Sequence, residues 1–136
     1  MTVSVDTNKE IIRRYIEIGW GQGDLNVIRQ TVAFEMQRDV DGAISDGGRD
    51  VENVVKRFRG SFPDARTEVV ECVAEDEMVV VRVLTTGTHR GEYLGVPATG
   101  RHVEFYAFDM FRLDNGRIVE SCHAVDEAGL LRQLTS

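Results

Sequence analysis

Two cysteines in a chain of 136 residues, Cys72 and Cys122, have no paired-ligand spacing and leave little room for a disulfide framework. Both read as buried small hydrophobes. The three histidines, His89, His102 and His123, form no HExxH or i, i+4 pair, so no helix face carries a ready metal site, and none is expected. Basic charge is also scarce. Lys and Arg total 16 against 23 Asp and Glu, the net charge is -7, and the cations are scattered, which argues against a nucleic-acid or anionic-lipid partner. No apolar run approaches the ~18 residues of a membrane span. The opening segment MTVSVDTNKE lacks a basic stretch followed by an apolar one, and a cytoplasmic location is expected. Low-complexity tracts and repeats are missing too, which excludes a solenoid or a long disordered tail.

What is present fits one domain over residues 1–136, with 42% hydrophobic residues and enough length to bury about two thirds of its unfolded surface. In DTNKEIIRRYIEIGW, Thr7 and Glu10 have capping-box spacing ahead of a stripe of Ile11, Ile12, Tyr15, Ile16 and Gly19. Gly19, Gly21 and Gly23 end that helix. Asp24 caps a short second one that buries Leu25, Ile28 and Val32. After a polar, irregular stretch to about Gly48, a third helix places Val51, Val54, Val55, Phe58 and Phe62 on one stripe until Pro63 stops it.

From there the period changes to two. TEVVECVAEDEMVVVRVLTTGTHRG reads as two strands around an acidic turn at Glu75 to Glu77; GEYLGVPATG is a loop leading into RHVEFYAFDMFRL; GRIVESCHAV is the last strand, before a final helical turn in DEAGLLRQLTS. Helices first and an antiparallel meander afterwards predict an α+β fold, a curved antiparallel sheet packed on the N-terminal helices to form a cone with a deep pocket.

Asp109 and His123 stand where this last hairpin should be apolar. A two-residue Asn115-Gly116 turn would pair Leu113 with Ile118 and Asp109 with Cys122, sending the two polar groups to opposite faces. A three-residue loop with Gly116 left-handed pairs Leu113 with Arg117 and Asp109 with Ser121. Asp109 and His123 then become diagonal neighbours roughly 7–8 Å apart. Binary pattern favours the second register, because it gathers Phe105, Ala107, Phe111, Val119 and Val125 on one face and Glu104, Arg112 and Glu120 on the other. A carboxylate and an imidazole together in a concavity are candidate acid/base groups. The opposite face carries Tyr106, Phe108, Met110, Ile118 and Cys122 with no helix to cover it, so a homodimer is expected.

The segments FPD, GTHRGEYLGVPATGR, FRLDNGRIVE and DEAGLLRQL, within residues 7 to 134, resemble the SnoaL-like polyketide cyclases of the nuclear-transport-factor-2-like superfamily. The resemblance implies a dimeric α+β cone that closes a ring in a polyketide-like substrate without a cofactor. In the ring-closing cyclases of that family the position of Asp109 carries a histidine and that of His123 an acid/base aspartate, so here the two types are exchanged. His123 is then the general base and Asp109 its orienting partner. Trp20, Tyr15 and Phe34 are candidates to line a flat substrate, with Phe105, Phe111 and Ser121 on the concave face and Arg38 and Asp39 as polar groups. The same residues allow an isomerase or dehydratase on a polycyclic ligand, or a non-catalytic dimeric ligand-binding module.

Overall fold

A computed structural model describes residues 3–33, 37–38, 44–45 and 48–136. The first helix, α1 (Val5–Arg14), is capped by Ser4, whose Oγ accepts the Thr7 N–H at 3.1 Å. Thr7 therefore lies inside the helix; Ser4 takes the cap because it stands just before the first helical residue with an extended backbone. The chain then widens into a π-helix over Tyr15–Trp20, in which the Gly21 N–H reaches back five residues to the Ile16 carbonyl. The apolar stripe does not distinguish this turn from an α-helical one. Gly21 follows, where a β-carbon would sit 2.3 Å from the Glu17 carbonyl oxygen.

Helix α2 (Leu25–Thr31) is capped by Asp24, as the sequence predicts, with Oδ1 accepting the Asn26 and Val27 N–H groups. Helix α3 (Gly48–Ser61) buries Val51 and Val55, and Phe62 just beyond it is fully enclosed; Val54, expected on the same stripe, faces outward. Before α3 lie two two-residue strands, β1 (Gln37–Arg38) and β2 (Ile44–Ser45), too short to leave a period in the sequence.

Strands β3 (Arg66–Glu75), β4 (Met78–Thr88), β5 (His102–Asp114) and β6 (Arg117–Val125) form the antiparallel meander. The sheet order is β2-β1-β6-β5-β4-β3, and β1 joins β6 in parallel through Arg38 and Glu120. Burial alternates strictly along β4 and β5, the pattern of a sheet with one face on the core. Extra residues at Val70 in β3 and Val119 in β6 interrupt the ladders, and such bulges bend a sheet. The curved sheet with its helices is the α+β fold expected. Helix α4 (Glu127–Thr135) closes the chain, longer than a single turn, with Asp126 as its N-cap.

Two apolar clusters fill the space between helices and sheet. One joins Ile12, Tyr15, Ile16, Ile28 and Val55 to Val79, Val81, Val83, Phe111, Leu113 and Ile118; the other joins Phe62 and Ala65 to Val103, Phe105, Leu130 and Leu134. Ile118 thus belongs to the core and not to the outer face. The cysteines are not buried either: Cys72 is half-buried, packed at the margin of the first cluster, and Cys122 is exposed opposite Met110 on the outer face. The outer sheet face leaves Tyr106, Phe108, Met110, Val70 and Val73 open to solvent. No helix among the described residues is long and apolar enough to cross a membrane.

Candidate functional site

The β5–β6 hairpin decides whether Asp109 and His123 meet. Asn115 and Gly116 both have positive φ, 50° and 76°, which makes a two-residue type I′ turn with Asp114 opposite Arg117 and Leu113 opposite Ile118. The three-residue loop is therefore corrected. The expected consequence of a two-residue turn does not follow, however, because Val119 is an extra residue between Ile118 and Glu120. Past that bulge Arg112 faces Glu120, Phe111 faces Ser121, and Asp109 stands directly opposite His123. One irregularity satisfies two demands. Leu113 and Ile118 both enter the core, and the phase then slips so that Ser121, His123 and Val125 share the inner face with Asp109.

His123 Nδ1–H donates to Asp109 Oδ1. The carboxylate is buried, at 7% exposure, between the inner-face residues Ala107 and Phe111, whereas about half of the imidazole surface remains open. With Nδ1 held by the carboxylate, the neutral ring keeps its basic lone pair on Nε2. Burial pulls the His123 pKa down, but the Asp109 hydrogen bond and charge, with a smaller contribution from Glu127, outweigh it and raise the pKa above the ordinary imidazole value. The base is thus made stronger than a free imidazole while one face stays accessible.

The π-helix begins and ends on an aromatic residue, and the first of these lies beside this site. Tyr15 is buried and packs edge-on against Phe111, with ring centroids 5.7 Å apart. Its burial raises the phenol pKa far above the usual range; a side-chain hydrogen bond with Trp20 works the other way, and the charge of Asp109 adds to the rise. Tyr15 therefore remains a protonated donor within the field of Asp109. Trp20 is half-buried and tilts against Phe58, which continues through Phe62 to Tyr93, at centroid separations of 5.9, 5.8 and 5.2 Å.

Of the other candidates, Phe105 and Phe111 are packed in the two core clusters, and Ser121 is half-buried on the inner face next to His123. Phe34 and Asp39 lie outside the described residues. The backbone of Arg38 is paired beside Glu120. Sequence reasoning missed Phe58 and Tyr93 as half-open aromatic surface, since both sit on patterns that read as core or loop, and it missed Glu127 near the imidazole. The latter had a signal, being four residues beyond His123 at the start of the last helix. His89 makes a loop contact: its Nδ1 lies 2.9 Å from Thr99 Oγ1.

A cavity of about 150 Å³ lies beneath the β5–β6 turn, lined by Val3, Asn8, Glu77, Leu113, Asp114, Asn115 and Gly116, and so stands apart from the dyad. Among the described residues no cluster of three or more His, Cys, Asp or Glu side chains could hold a metal ion.

This hairpin and its helices have known relatives. The sequence matches the family model for SnoaL-like polyketide cyclases over residues 9–134. The chain belongs to that family. No curated protein matches it, but solved structures do. IdmH of Streptomyces antibioticus, a candidate polyketide cyclase, is 27% identical with a TM-score of 0.82, the match covering 95% of this chain and 99% of IdmH. AclR of Streptomyces galilaeus, a candidate hydroxylase, is 25% identical with a TM-score of 0.82 over 96% of this chain and 82% of that one. TsrD of Streptomyces laurentii superposes with a TM-score of 0.88 over 98% of both chains at 22% identity, and shows the shared fold alone.

Proposed function

We propose that this SnoaL-like chain is a cofactor-independent acid/base enzyme that closes a ring in a polyketide-like substrate. The observation that carries the reading is the Asp109–His123 pair, with its carboxylate buried and its imidazole half open on the inner face of the hairpin. Nε2 of His123 removes a proton from carbon flanked by two carbonyls, and Asp109 holds the tautomer and stabilises the imidazolium that forms. The enolate attacks a second carbonyl of the same molecule, forming the ring carbon–carbon bond, and His123 returns the proton to the new alkoxide. Tyr15, kept protonated by burial, supplies a hydrogen bond to the enolate oxygen. Trp20 offers apolar surface and Ser121 a polar contact to the flat substrate, while Phe105 and Phe111 are the packed core behind the pair.

Relative to the ring-closing cyclases that the sequence resembles, exchange of the histidine and aspartate keeps both groups and leaves the base on β6, as an imidazole in place of a carboxylate. Incubation with a panel of synthetic poly-β-ketone esters tests the function by product mass. Ring closure or isomerisation conserves mass and dehydration removes one water, so the same assay separates the dehydratase reading. Turnover that persists unchanged in His123→Ala would remove His123 as the base, whereas a wild-type protein that binds these esters and turns none over would be a ligand-binding module.

The assembly completing this proposal is a homodimer through the outer sheet face. Phe108, Met110 and Tyr106 stand there exposed in a row at every second residue of β5, the kind of contiguous apolar surface that a second copy covers.

A further inference from the structure

The Arg59 guanidinium makes an unusual set of contacts for a surface-derived cation. One nitrogen, Nη1, donates to the carbonyls of Trp20, Gly21 and Ala65, each at 3.1 Å, and Nη2 donates to the Pro63 carbonyl at 2.7 Å. These carbonyls belong to three pieces of chain: the end of the π-helix, the turn after α3, and the approach to β3. The stem of Arg59 runs so close to Gly23, at φ 70°, that a β-carbon there would lie 2.7 Å from Arg59 Cδ.

The π-helix has two further ties to β3. Thr67 Oγ1–H donates to the Ile16 carbonyl at 2.5 Å, and Glu17 Oε2 accepts the Val69 N–H at 3.0 Å. Both lie in its first three residues. Arg59 alone among these holds its last residue, Trp20, while its first, Tyr15, packs edge-on against Phe111 with ring centroids 5.7 Å apart. Phe111 in turn lies two residues along the buried face of β5 from Asp109, the carboxylate that grips His123. A widened helical turn of this kind is rare and occurs frequently at functional sites.

We infer that Arg59 is a positioning residue for the site: by clamping the Trp20 and Gly21 carbonyls it fixes the aromatic wall formed by Tyr15 and Trp20 against the Asp109–His123 pair. The inference rests on the acid/base reading of that pair for its importance, but not for its test. A planar guanidinium serves several divergent carbonyls at once in a way that an ammonium cannot match.

Trp20 is the chain's only tryptophan, so intrinsic fluorescence reports on the clamped residue directly. Arg59→Met and Arg59→Lys are compared with the wild type by Trp20 emission and by NMR titration of His123, with circular dichroism establishing that each variant is folded. Arg59→Met is expected to fold with a red-shifted Trp20 emission and a displaced His123 midpoint; Arg59→Lys, which keeps some of the donors, returns both signals part of the way. A merely structural role would lower the melting temperature and leave both folded-state signals at their wild-type values, which would overturn the inference. Should Arg59→Met not fold, Arg59→Lys decides in the same way: displacement of both signals supports the clamp, and wild-type signals overturn it. Neither measurement requires a substrate, so their failure is distinct from failure of the acid/base reading, which shows as undiminished turnover in His123→Ala.

Discussion

Removing the imidazole by His123→Ala deletes the proposed base outright, and because that side chain is half open the structural cost is chiefly the hydrogen bond lost to the buried Asp109 carboxylate. A positioned general base contributes about 10²–10⁴ in rate, or about 3–5 kcal/mol of barrier, and that is the expected loss in ring closure. Asp109→Asn acts differently. The amide occupies the same buried place but no longer bears the charge that raises the imidazole's pKa, and it can turn its NH₂ toward Nδ1 and impose the wrong tautomer. The plateau of kcat/KM should fall by about 10²-fold or more. The acid limb of the pH profile should move as well. The working base is neutral, and Asp109 holds its pKa above the ordinary value, so wild-type activity declines on acidification at a higher pH than a free imidazole would. In Asp109→Asn the limb should shift to lower pH. Steady-state rates for both variants across the pH range test this on any poly-β-ketone ester that the wild type turns over. A wild-type profile in Asp109→Asn, with the plateau within a factor of two, would refute the reasoning.

The same linkage applies to folding. A histidine whose pKa is raised on folding contributes stability that is present below its unfolded value of about 6.5 and lost as pH rises through the folded value. Discounted for the open half of the ring, the contribution is about 1 kcal/mol, so urea denaturation should separate wild type from Asp109→Asn by about that much more on the acid side than on the alkaline side. Deleting Val119 should leave the dyad intact, because it removes the one unpaired residue of the bulge and keeps Asp109 opposite His123; loss of their coupling by NMR would show that another residue carries the slip. Phe108→Glu, on the outer sheet face, should turn the proposed dimer into a monomer in light scattering without moving the His123 titration. A wild-type mass would place the interface elsewhere.

Much of the fold was legible because its signals are local. Asp24 and Asp126 announce their helices by position, and the alternation in β4 and β5 reads directly as buried and exposed faces. The hairpin register was not, because Asn-Gly turn chemistry and the apolar pattern conflict unless one residue is left unpaired, and Val119 carries no mark that distinguishes it from a paired valine. The sequence showed that Asp109 and His123 could share a face; only the bulge explains how they do so across a type I′ turn. The π-helix was invisible for a related reason. Tyr15, Ile16 and Gly19 satisfy an α-helical stripe as well as the wider one, so the turn that brings Trp20 to Tyr15 depends on tertiary ties from Arg59, Thr67 and Glu17.

The account stands on Asp109 and His123 acting as one unit, and the most direct measurement is the NMR titration of the three histidines in the wild type and in Asp109→Asn, with His123 assigned by the signal lost in His123→Ala. The account predicts that His123 titrates above the ordinary imidazole value in the wild type and drops when Asp109 is neutralised. A His123 that titrates at the ordinary value and ignores the substitution would contradict it.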